Sequence, residues 1–195
     1  MRRHLALAAA LALAPLGTSA LAQAPRPASA APVPDAAAAA AVRQNFLTDL
    51  DSLQAKFLAL ANAFPADKYA WRPGAGVRSV GEAFMHVASE YYTFAPVAMG
   101  APRSMVIGRG REAFQKFEQA STKEDVLKHL REGFAYARQN IAAVPTDSIA
   151  GTRKIFGGDH TIIETSAAVA DDLHEHLGQL IAYARMNGVV PPWSK

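Results

Sequence analysis

The sequence predicts an all-α fold, a four-helix bundle with long loops between its helices. Three observations carry this. Apolar residues recur at spacings of three and four over four long segments; Ser/Thr-x-x-Glu pairs and prolines mark the segment ends; and no stretch alternates apolar and polar residues for long enough to make a substantial strand. Composition agrees: the 195 residues are 50% hydrophobic and 19% charged, ample apolar surface for one core.

The N-terminus stands apart from this pattern. Arg2 and Arg3 precede an Ala/Leu run from Leu5 to Ala14, followed by Pro15 and the small residues Ala20-Leu21-Ala22. That is the order of a secretory signal peptide over residues 1–22, cleaved after Ala22, and the expected location is exported, periplasmic or secreted. The apolar run is shorter than the ~20 residues a membrane span requires, so no span is expected after cleavage. Paired arginines also occur in twin-arginine leaders, but their flanks here match poorly. Removing the leader brings the formal charge, +3 for the whole chain, closer to neutral. A near-neutral domain without a basic stripe argues against a nucleic-acid partner, and none is expected. Cysteine is absent, which excludes disulfides, thiol nucleophiles and Cys-ligated metals, so any metal must be held by His, Asp or Glu.

Residues 23–34 hold four prolines among Ala, Ser and Arg and are expected to form a linker, with one folded domain over residues 35–195. Helix one follows Asp35 and presents Phe46, Leu50, Leu53, Phe57, Leu60 and Phe64 on one face before ending at Pro65. A Pro/Gly-rich loop from Tyr69 to Arg78 leads to Ser79, whose spacing to Glu82 is that of a capping box. Helix two then carries Val80, Phe84, Val87, Tyr91 and Phe94 and is expected to close at Pro96. A short helix is expected through Phe114 and Phe117. Helix three starts after Ser121 or Thr122, buries Val126, Leu130, Phe134, Ala137, Ile141 and Val144, and stops at Pro145. Residues 146–160 allow at most a short hairpin. Thr161 and Glu164 form a second capping box, and helix four runs to about Asn187, with Gly188 ending it. The long connections leave the order of helices around the bundle open.

Ionisable groups beside the core stripe appear on helix four. Asp172 and His176 are four residues apart, so both can reach one cation, whereas His174 points away. On helix two His86 adjoins the buried stripe and is the natural third ligand. Two imidazoles and a carboxylate would leave positions open for water or substrate and suit zinc, nickel, iron or manganese. Glu90, one turn beyond His86, is expected to face solvent or to support the site rather than to ligate, and is the nearest general-base candidate. Trp71 and Tyr91 are expected to wall a pocket there. His129 and His160 read as surface residues, and Arg103, Arg109 and Arg111 as a solvated loop. No Ser/His/Asp signature, phosphate loop or dinucleotide fingerprint occurs.

These residues resemble a known family, the DinB-like (damage-inducible protein B) four-helix-bundle metalloproteins, over roughly residues 41–193. The resemblance is carried by Tyr69-Ala70-Trp71-Arg72-Pro73, by Ser79-Val80-Gly81-Glu82 with Met85-His86-Val87-Ala88, and above all by the run from His176-Leu177-Gly178-Gln179 to Pro191-Pro192. It implies His86 and His176 as ligands of a divalent cation; at the third family position this chain has Asp172 where a His is usual. It also implies a homodimer. Relatives include thiol-dependent transferases, so the resemblance implies a metal-dependent hydrolase or transferase acting on a small molecule. The alternative is a non-catalytic helical module that pairs with itself or a partner and keeps a vestigial site.

Overall fold

The computed structural model describes residues 33–194, Phe156 excepted. The expected leader over 1–22 and all but the last two residues of the expected linker therefore lie outside the described residues.

The domain is all-α. Four long helices, α1 (Ala36–Ala63), α2 (Val80–Tyr92), α5 (Lys123–Ala142) and α7 (Ile162–Met186), form the bundle. Between them lie the short helices α3 (Phe94–Ala98), α4 (Arg111–Gln119) and α6 (Thr146–Ala150) and a hairpin of β1 (Arg153–Ile155) and β2 (Gly158–His160). Among the described residues no helix is long and apolar enough to cross a membrane.

Each of the four long helices begins where a side chain can take its orphan N–H groups. Asp35 accepts from Ala38 N at 2.7 Å, and Thr122 from Asp125 N at 3.1 Å. Ser79 with Glu82 and Thr161 with Glu164 close both capping boxes. At α2 the preceding loop completes the cap: the carbonyls of Trp71 and Tyr69 each accept at 2.9 Å, from Val80 N and Gly81 N. Gly188, at φ +71°, turns the chain out of α7, a conformation that costs glycine little.

The expected end of helix two moves. A helix continuing through Pro96 would set the proline ring against the carbonyl of Tyr92. The chain breaks at Thr93 instead, and Pro96 lies in the first turn of the new helix α3. The Tyr92 carbonyl thus released accepts from Ser104 N at 2.7 Å.

Around the bundle, α1 packs on α5 and α7, and α2 on the same two, so α1 and α2 face each other across the diagonal although they are consecutive. The connection over residues 64–79 is long enough to carry the chain across. Every core residue expected on α1 is buried, from Phe46 to Phe64. With α4 laid over it as well, α2 is buried on nearly every face. The two helices that carry ionisable groups near the core, α2 and α7, are direct neighbours.

Candidate metal centre

His86 and Glu90 lie one turn apart on α2, and α7 brings His176 against them. The two imidazoles meet nearly edge-on, with centroids 4.8 Å apart. Both Nε2 atoms converge on one carboxylate oxygen: Glu90 Oε1 is 3.2 Å from His86 Nε2 and 3.5 Å from His176 Nε2. One nitrogen or oxygen from each of the three residues lies within 4.8 Å of the others, close enough to share a metal ion. Glu90 is only 7% exposed, and its second oxygen, Oε2, is buried without a hydrogen-bond donor.

The ring nitrogens on the far side are also engaged. His86 Nδ1 donates to Glu118 Oε1 on α4 at 2.7 Å, and Arg78 holds that carboxylate through Nε at 3.1 Å and a second N–H at 3.3 Å. His176 Nδ1 lies 3.3 Å from Gln179 Oε1, and Gln179 Nε2 donates to the Tyr183 hydroxyl at 3.0 Å. That hydroxyl donates in turn to the Arg78 carbonyl at 3.3 Å, and Trp71 packs edge-on against the Tyr183 ring. Such partners fix the orientation of an imidazole that ligates a metal.

These contacts set the protonation of the metal-free cluster. Burial pulls His86 down, but hydrogen bonds to Glu118 and Glu90 overcome it and carry its pKa up to about 9. Burial pushes Glu90 up, and the imidazoles of His176 and His86 outweigh it, taking the carboxyl down to about 2. His176 is raised chiefly by its hydrogen bond to Glu90. Burial lifts Asp172 to about 6, helped by its hydrogen bond to Glu90 and by the Glu90 charge.

Glu90 is thus buried rather than solvent-facing. Its Oε1 faces both imidazoles. Position four after His86 turns inward because α2 is enclosed on nearly every side. Asp172 stands at the edge of the cluster, with Oδ1 3.8 Å from His176 Nε2 and a side chain 37% exposed. His174 points outward and meets Asp49 at 3.1 Å. Tyr91 is not a pocket wall: it is fully buried, its ring against Phe134.

His129 also differs from its expected surface position. With α4 folded over α2 and α5, its ring packs 4.9 Å from that of Phe117, and Nδ1 lies 3.3 Å from the Tyr92 hydroxyl. Arg103 is tied into its loop through the carbonyls of Ile107 and Gly108. Glu118 carries no mark in the sequence beyond lying next to Phe117 on a short amphipathic helix. Gln179 is visible only as part of the His-Leu-Gly-Gln run.

Behind His86, on the Glu118 side, a cleft of about 320 Å³ opens to solvent, lined in part by Arg72, Arg78, Glu82, Gln115 and Glu118. Two imidazole nitrogens, a buried carboxylate with a donor-free oxygen, and oriented far-side nitrogens are a donor set that fits a divalent cation.

Comparison with known proteins agrees with the fold. No curated protein matches the chain in sequence. A crystal structure of a DinB-like protein from Bacillus cereus ATCC 10987 superposes with a TM-score of 0.62 at 10% sequence identity, covering 76% of this chain and 95% of that one. At that identity the likeness concerns the fold alone. The sequence profile of the DinB superfamily matches residues 49–180, a span that includes α2, the loop to α5 and His176. The chain belongs to the DinB superfamily.

Proposed function

We propose that the protein is an exported metal-binding protein in which His86, Glu90 and His176 hold one divalent cation, with hydrolase or transferase activity on a small molecule. The convergence of both Nε2 atoms on the buried Glu90 carboxylate carries this reading. Such a cation, when bound, supplies Lewis acidity at a position left open by a three-residue protein shell. The chain's own part is to hold and orient. Glu90 brings the negative charge, Glu118 and Gln179 meet the Nδ1 atoms of the two imidazoles, and Asp172 flanks His176 at the more exposed edge. Zinc, nickel, iron and manganese all suit this donor set.

The test is the metal content of untagged protein, compared with His86→Ala and His176→Ala. Near-stoichiometric metal that disappears in both variants is expected. Folded protein that stays metal-free after incubation with zinc, nickel and manganese would refute the reading. A second reading draws on the same contacts. Glu90 Oε1 meets both imidazoles, so the cluster could act as a structural clamp between α2 and α7 in a non-catalytic module. In that case the two alanine variants lose stability without any loss of metal. Export is checked by N-terminal sequencing, where a start at Gln23 is expected and an intact Met1 would count against it. The homodimer that the family resemblance implies is checked by sedimentation equilibrium.

A further inference from the structure

The helix α4 lies outside the four long helices, buries no residue completely and, among the described residues, reaches α2 through a polar contact of Glu118. Glu118 reaches from it to His86 Nδ1 at 2.7 Å, the shortest of the contacts made by either imidazole. A carboxylate cannot donate, so the proton on this bond belongs to Nδ1. Arg78 fixes both Glu118 oxygens, with Nε on Oε2 and a terminal N–H on Oε1, leaving the carboxylate little freedom to turn away. The seating of α4 is set nearby. Gly81 on α2 lies so close to Ser121, just beyond the end of α4, that a Cβ there would come within 2.9 Å of the Ser121 side chain.

We infer that Glu118, clamped by Arg78, is the positioning residue for His86 in the metal centre: by accepting the hydrogen bond from Nδ1–H it keeps the Nε2 lone pair aimed at the point between Glu90 and His176. The inference rests on the cation reading above. It assigns to α4 a role that bundle geometry alone does not supply, since α1, α5 and α7 place no group on His86 Nδ1 among the described contacts. The cleft of about 320 Å³ lies on the other side of the same Arg78–Glu118 pair. A molecule seated there would touch the support of the ligand rather than the cation.

The test uses the full chain, uniformly ¹⁵N-labelled and titrated with zinc. Long-range ¹H–¹⁵N spectra show which nitrogen of His86 takes the metal and whether the other keeps its proton, and a competing chelator gives affinity. Wild type is expected to bind zinc through Nε2 with a protected Nδ1–H. Glu118→Leu is expected to lose that protection and to bind zinc about 10–100-fold more weakly, the range typical for removal of a partner that orients a ligand. Glu118→Gln, whose amide oxygen still accepts the proton, recovers most of the affinity. Should Glu118→Leu fail to fold, Arg78→Met leaves the carboxylate in place but unclamped, and a smaller loss with faster Nδ1–H exchange is expected. Zinc on Nδ1 of His86 would overturn the inference, as would zinc affinity within about twofold of wild type in Glu118→Leu or, if that variant is unfolded, in Arg78→Met. Wild type that takes no zinc overturns the cation reading and this inference together. That outcome is distinct from zinc bound equally well without Glu118, which removes the positioning role alone.

Discussion

Two helical glycines, Gly81 on α2 and Gly178 on α7, are expected to respond to alanine with opposite signs. At Gly81 the added Cβ would lie 2.9 Å from Ser121 Cβ and closer still to the Ser121 carbonyl oxygen, which is backbone and cannot rotate away. Overpacking of that kind costs about 1–3 kcal/mol, and a backbone obstacle belongs at the upper end. Against it stands the gain from replacing glycine in a helix, at most about 1 kcal/mol and less in the first turn. The net is a loss of roughly 2 kcal/mol. For a domain of this size each kcal/mol moves Tm by about 2–4 °C, so Gly81→Ala should melt roughly 4–8 °C lower. At Gly178 nothing lies within 4 Å of the added Cβ, and the backbone is ordinary helix. The same substitution there should raise Tm by roughly 1–4 °C. Thermal unfolding followed by circular dichroism measures both. A Gly81→Ala protein as stable as wild type, or two shifts of the same sign, would refute the close packing of α2 against the start of α5. The displacement of Ser121 would also move Glu118, so weaker zinc binding should accompany the lower Tm.

Glu90→Gln should weaken zinc binding by at least about 100-fold, beyond the loss expected for a merely orienting partner, whereas Asp172→Asn should cost less than about tenfold; chelator competition decides, and a reversed order would return Asp172 to the third ligand position it has from the sequence. Zinc uptake at pH 7.5 should release roughly one to two protons, because the metal-free cluster holds His86 protonated up to about 9. Calorimetry in buffers of different ionisation enthalpy measures that release, and a value of zero would contradict the hydrogen bonds to Glu118 and Glu90. Burial pushes Glu82 up, but the Ser79 N–H and Arg72 outweigh it and hold its pKa below the ordinary value. A lowered folded pKa means that its contribution is complete above the unfolded value and is lost as pH falls through the folded one. Glu82→Gln, which keeps the capping box, should therefore melt below wild type at pH 7 by the equivalent of about 0.5 kcal/mol for the charge lost beside Arg72 and the helix N-terminus, with the gap closing towards pH 3. A gap that persists undiminished in acid would contradict the ionic role of Glu82.

Local physics made the four long helices and their starts readable in advance. Asp35, Ser79 with Glu82, Thr122, and Thr161 with Glu164 act on N–H groups within three residues, so spacing alone locates them. The apolar stripe of α1 buries as its periodicity requires. His86 and His176 stand out for the same reason: each lies beside a stripe whose inward direction the helix repeat defines. Contacts between elements have no such trace. The crossing of α1 and α2 on the diagonal depends on how four helices share a core, and long loops leave that choice to packing. Glu90 looks like a flank position on an isolated amphipathic helix and becomes the centre of the cluster because α5, α7 and α4 enclose α2 together. Glu118 is separated from His86 by 32 residues, and nothing in either segment encodes their meeting. Hydrogen bonds between neighbours in sequence follow from spacing, whereas the charge of a buried carboxylate and the tautomer of a histidine depend on groups that only folding brings within 3 or 4 Å.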